Sequence, residues 1–124
     1  MVCISVREKP PSVPPPEPEP EPENLHEKYI DYCFERIRKV RLVKQVIVMN
    51  EYGHPVRSTI ENMAEAITTA GLYASLKDKA SYYLKTIDAN DDFLMLRIKT
   101  RNNEAIISTD PDHGLLYITV QVPE

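Results

Sequence analysis

The chain has 124 residues, 11 prolines, 3 glycines, 2 cysteines, no tryptophan and a formal net charge of −4. That length suits one domain, and eight of the prolines fall in residues 1–24, together with five glutamates against Arg7 and Lys9. Setting that segment aside leaves a nearly neutral body without the overall basic excess that phosphate backbones attract, so no nucleic-acid partner is expected.

Cys3 and Cys33 are too few for a disulfide framework and read as reduced cytosolic thiols. No segment approaches about 18 apolar residues, and MVCISVREKPP has no signal-peptide core. A cytoplasmic protein without direct membrane insertion is expected.

Residues 1–24 read as a disordered Pro/Glu-rich arm, and 25–124 as the folded domain. In PPPEPEPEPE (14–23), proline fixes φ and the alternating glutamates repel, so the segment is expected to be extended and polyproline-like. It is either a solvated spacer or a ligand for an SH3- or WW-type groove, since Pro11 and Pro14 form a bare P-x-x-P below Arg7 and Lys9.

Asn24 and Glu27 have capping-box spacing. Tyr29, Ile30, Cys33, Phe34 and Ile37 then recur every three or four residues, which predicts an amphipathic helix to about Lys39. VKQVIVMN (43–50) is β-branched and nearly uncharged, as a buried strand should be. Asn50 to Gly53 supply a turn, and HPVRSTI (54–60) is a second strand, which Pro55 places at a sheet edge. Asn62 and Glu65 repeat the capping spacing before a long helix over roughly 62–86, with Gly71 inside it. DANDD (88–92) is a polar connection. FLMLRIKT (93–100), EAIISTD (104–110) and LLYITVQV (115–122) are three further strands. The pattern predicts an α+β fold, helix-strand-strand-helix-strand-strand-strand. Its five-stranded antiparallel sheet is expected to carry both helices on one face.

Little points to catalysis. Gly53, Gly71 and Gly114 are isolated, so no phosphate-cradling loop is available and no cofactor is expected. His26, His54 and His113 are scattered, and no metal site is expected from them. Asp88, Asn90 and Asp92 begin like a calcium loop. Phe93 stands where its glycine belongs and Lys99 where its bidentate glutamate belongs, so the segment reads as turn chemistry. Ser108, Asp110 and His113 cluster only in a hairpin turn.

VIVMNEYGHPVRSTIEN resembles the first hairpin of the roadblock family of dynein light chains. The matching features are the apolar strand Val46–Asn50, the turn with Gly53 and Pro55, and Ser58-Thr59 before the long helix. LKTIDANDDFLMLRIKTRNNE is similar to that family's second block through Ile87-Asp88, Asp92 (or Asp91), Leu96-Arg97-Ile98 and Asn103-Glu104, and the ending Gln121-Val122-Pro123 also fits. The long helix differs from the usual family sequence, the last hairpin is about two residues longer, and the Pro/Glu arm replaces a short charged N-terminus.

The resemblance implies a homodimer without catalytic activity. Third strands pair across a two-fold axis into a ten-stranded sheet, with the long helices side by side. The dimer docks a segment of the dynein intermediate chain and helps link motor to cargo on microtubules. The residues expected at the dimer contact are Leu94, Leu96 and Ile98 with Ala70, Tyr73 and Leu76. An apolar third strand and the small residues Ala66, Ala70 and Ala74 suit such a contact, or equally an intramolecular core. Roadblock-like modules also scaffold or regulate small GTPases on endomembranes, which is the alternative reading.

Overall fold

The computed structural model describes residues 22–123, so the arm expected over 1–24 lies outside the described residues except for its last three positions. Those three already belong to the first helix, α1, which runs Pro22–Arg38. Proline suits a first helical turn because its missing N–H has no partner there anyway. Asn24 therefore sits inside the helix instead of capping it.

After α1 come β1 (Val43–Asn50), β2 (Pro55–Ser58), α2 (Met63–Ile87), β3 (Met95–Lys99), β4 (Glu104–Asp110) and β5 (Leu115–Gln121). The predicted order holds, and every pairing is antiparallel, in the order β2-β1-β5-β4-β3. β2 is an edge strand that begins at Pro55, and β3 forms the other edge.

Local chemistry sets the boundaries. The Asn50 side chain accepts from the N–H groups of Tyr52 and His54, both at 3.0 Å, and Gly53 takes φ +86° in the turn they enclose. The Asn62 side chain caps α2 by accepting from the Glu65 N–H at 3.0 Å. Asp88 ends that helix, and its carboxylate accepts from the Asn90 N–H at 3.0 Å, so DANDD is an Asx-type turn. Between α1 and β1, Leu42 has φ +79°, a strained conformation for a side chain of its bulk, and its carbonyl accepts from the Val122 N–H at 2.9 Å.

The helices lie on opposite faces of the sheet, which corrects the expectation of one face. Side chains alternate along a strand. Val46 and Val48 pack with Ile30 and Phe34 of α1, whereas Ile47 and Met49 pack with Ala70 of α2, Ile107 and Ile118. β1 is thus apolar on both sides because both are covered. Each large side chain enclosed in this way contributes about 1.5–3 kcal/mol.

The two faces are covered unequally. α2 lies over β1, β5 and β4, and Leu96 of β3 joins its cluster. The α1 cluster draws on β1, β2 and β5. On that face the cross-strand row Val46–Thr119–Ile106–Arg97 starts beneath α1 and ends at an exposed arginine.

Candidate interface at the β3 edge and the α2 flank

β3 pairs with β4 on one side only, so its outer backbone groups have no strand partner among the described residues. An open edge of this kind is a template for another strand. Apolar side chains gather beside it. Leu94, just before β3, is 70% exposed, and Met95 is also exposed. On α2, Ile67, Leu72, Leu76, Tyr83, Leu84 and Ile87 are all exposed, Ile87 at 80%. Only Ala66 and Ala70 of this 25-residue helix are buried. Leu72, Leu76, Tyr83 and Ile87 fall within about 60° of one another around α2, and that much exposed apolar surface on one flank marks an interaction site.

The six residues expected at the dimer contact divide. Leu94 and Leu76 are exposed and stand at this surface. Ala70 is 0% exposed, enclosed by its own sheet, and has no surface left for a partner. Tyr73 and Leu96 are partly covered in the same cluster, and Ile98 is half-buried. The small residues Ala66, Ala70 and Ala74 let α2 approach its own sheet, which is the intramolecular alternative. Sequence reasoning missed Leu72, Tyr83, Leu84 and Ile87 on this flank. The signal was available: α2 has more apolar positions than one helix face can bury.

On the other face, an ion pair anchors the edge. Glu104 is 5% exposed, takes a hydrogen bond from the Arg97 Nε, and accepts another from Gln121 Nε2 at 3.3 Å. The Arg97 hydrogen bond holds the Glu104 carboxyl below the usual carboxylate range against the opposing effect of desolvation.

Asp110, singled out with Ser108 and His113, holds α1 to the sheet. Its carboxylate accepts from Tyr29 Oη at 2.7 Å and Tyr117 Oη at 3.2 Å and lies 3.0 Å from His113 Nδ1. The His113 ring stacks on Tyr29 with centroids 3.9 Å apart. Burial pushes the Asp110 carboxyl up, but the hydrogen bonds from His113, Tyr29 and Tyr117 outweigh it and leave it lowered. The Asp110 hydrogen bond is the main cause that raises the Tyr29 phenol to about 12. The cluster latches α1 to the β4–β5 hairpin. Among the described residues no group of three or more His, Cys, Asp or Glu side chains could hold a metal ion. Among them, too, no helix is long and apolar enough to cross a membrane.

The Roadblock/LC7 domain from Streptomyces avermitilis has a similar structure. That crystal structure superposes with a TM-score of 0.64 at 12% identity, over 73% of this chain and 75% of that one. This chain has the Roadblock/LC7 fold. Myxococcus xanthus MglB is similar as well, with a TM-score of 0.57 at 14% identity over 70% of this chain. The match spans 65% of the MglB chain, just under two thirds of its length. No family model matches the sequence. At these identities the likeness is one of fold, and the Roadblock/LC7 architecture is what this chain shares with both bacterial proteins.

Proposed function

We propose that this chain is a non-catalytic homodimeric adaptor, a light chain of the cytoplasmic dynein motor complex. In this reading it binds the dynein intermediate chain and helps link motor to cargo in microtubule-based transport. One observation supports the dimer: the β3 edge, which has no strand partner among the described residues, adjoins an apolar α2 flank far richer than a solvated helix needs. Pairing β3 with its symmetry mate satisfies the outer backbone groups and brings the two α2 flanks together, giving a continuous ten-stranded sheet. The intermediate-chain assignment is supported by the motif order from Val46 to Pro123.

The second reading is a scaffold or regulator of a small GTPase on endomembranes. It is favoured by the bacterial source of both similar structures, which shows that the fold is not tied to one eukaryotic motor. One experiment separates the two: affinity capture with the purified full chain, followed by mass spectrometry and reconstitution with the purified candidate. Direct binding of dynein intermediate chain supports the first reading. Direct binding of a small GTPase with no intermediate chain overturns it.

A further inference from the structure

The β3 edge offers a second copy only a few ways to pair, and its side chains choose among them. The Thr109 N–H donates to the Leu94 carbonyl at 3.1 Å, and the Thr100 N–H to the Asn103 carbonyl at 2.8 Å. Leu96 lies opposite Ile107 and Ile98 opposite Ala105, so the even-numbered residues of this segment bond inward to β4. Met95, Arg97 and Lys99 direct their backbone groups toward the edge. The faces divide in the same way. Leu96 packs in the α2 cluster, so Leu94 and Ile98 stand on that side, and Met95, Arg97 and Lys99 stand on the α1 side.

A two-fold axis perpendicular to the sheet carries each face onto itself. Opposing residues then share a face, and the axis passes at Met95, Leu96, Arg97 or Ile98. All four registers join edge-directed backbone groups, so backbone hydrogen bonding does not select among them. Centring on Arg97 sets two arginines directly opposite, each held in place by its bond to Glu104, and leaves Leu94 facing Thr100. Centring on Ile98 opposes Arg97 to Lys99 twice and Leu96 to Thr100. Like charges directly opposite are destabilising. Centring on Met95 sets Ile98 against Asp92, which lies before the strand begins and pairs with Lys85 of α2.

Centring on Leu96 avoids all three. Leu96 meets its own copy and Leu94 meets Ile98 on either side of it, so the α2 side carries an unbroken apolar row. Leu94, so exposed in the single chain, is covered. On the α1 side Met95 lies opposite Arg97 and covers its aliphatic stem, while the guanidinium stays on Glu104. We infer, resting on the dimer proposed above, that two copies join through β3 in the register centred on Leu96. The edge is complementary to itself in this register, which is why its occupant is a second copy.

The test uses the full chain carrying Cys3→Ser and Cys33→Ala, with one new cysteine at a time in place of Met95, Leu96, Arg97 or Ile98. Only the residue on the axis meets its own copy. Under mild oxidation Leu96→Cys is therefore expected to form a disulfide-linked dimer at least about tenfold faster than the other three. Because Leu96 packs in the core, a second format keeps that residue intact. Leu94→Cys and Ile98→Cys chains refolded together are expected to give the mixed disulfide, and neither alone gives one. Sedimentation of the reduced proteins separates register from dimer. A dimer that cross-links at Met95, Arg97 or Ile98 instead, or in neither format, overturns the register and leaves the dimer standing. A monomer in every variant overturns both. Restoring Cys3 tests the chain's own N-terminal residues as occupant: an intramolecular disulfide from Cys3 to Met95→Cys in a monomer puts that segment on the edge and overturns the inference as well.

Discussion

Replacing Leu94 by Asp separates the proposed dimer from the fold. Leu94 is 70% exposed in the single chain, and its structural duty is performed by the backbone, whose carbonyl accepts from the Thr109 N–H at 3.1 Å. Full burial of a leucine contributes about 1.5–3 kcal/mol, so covering the remaining exposed portion contributes about 1–2 kcal/mol per subunit. Two-fold symmetry doubles this to about 2–4 kcal/mol, and an unpaired carboxylate in the contact adds a desolvation penalty of at least a further ~1–2 kcal/mol. The expected loss is about 4 kcal/mol or more, roughly a thousandfold in the dimer dissociation constant. Sedimentation equilibrium at micromolar concentration should show a dimer for the native chain and a monomer for Leu94→Asp, with the far-UV spectrum unchanged. Leu96→Asp provides the contrast: Leu96 packs in the α2 cluster, so a charge there should unfold the chain instead of merely splitting a dimer. A Leu94→Asp protein that stays dimeric refutes the β3-edge contact, and a native chain that sediments as a monomer refutes the dimer altogether.

Four further outcomes follow from the packing. Ala70→Leu, at a fully enclosed position, should lose about 1–3 kcal/mol by overpacking between α2 and the sheet, read from urea unfolding. Gly71→Ala should gain about 0.5–1 kcal/mol, because a Cβ there meets nothing within 4 Å; a loss in the native protein but not in the monomeric Leu94→Asp background would place Gly71 at the contact. Asn62→Ala should lower stability by about 1 kcal/mol through loss of the α2 cap, measured by thermal melts. Asp31, Glu104 and Asp110 all have folded-state pKa values below their ordinary ones, so they contribute stability at neutral pH that is lost as pH falls through those lowered values. Melting temperature should therefore drop on acidification below the ordinary carboxylate range, and Arg97→Gln, where Glu104 loses the hydrogen bond that lowers it most, should be less stable at neutral pH and show a smaller drop on acidification.

Element order was legible because each segment has one dominant period. The 3.6-residue pattern of Tyr29, Ile30, Cys33, Phe34 and Ile37, the cap at Asn62 and the polar connection from Asp88 correspond to what the chain adopts. The helix placement was misread because Val46–Met49 is a continuous apolar run, which says that both faces of β1 are covered but not by what. Which of the predicted contact residues are exposed was half legible. Leu94 and Leu76 stand at the surface, but sequence spacing alone does not reveal which small residues of α2 face its own sheet, so Ala70 was assigned outward.

The two edges of the sheet are chemically unlike. β2 is four residues long, opens with a proline that has no N–H to donate, and is joined to β1 through an irregular register at Val48/Met49. Such an edge is a poor template for another strand. Strand addition can therefore proceed from the β3 side alone. Once two copies have met there, both ends of the combined sheet are β2 strands, and growth stops. A chain with two open edges could polymerise; in the proposed dimer the two β2 edges would stop growth at two.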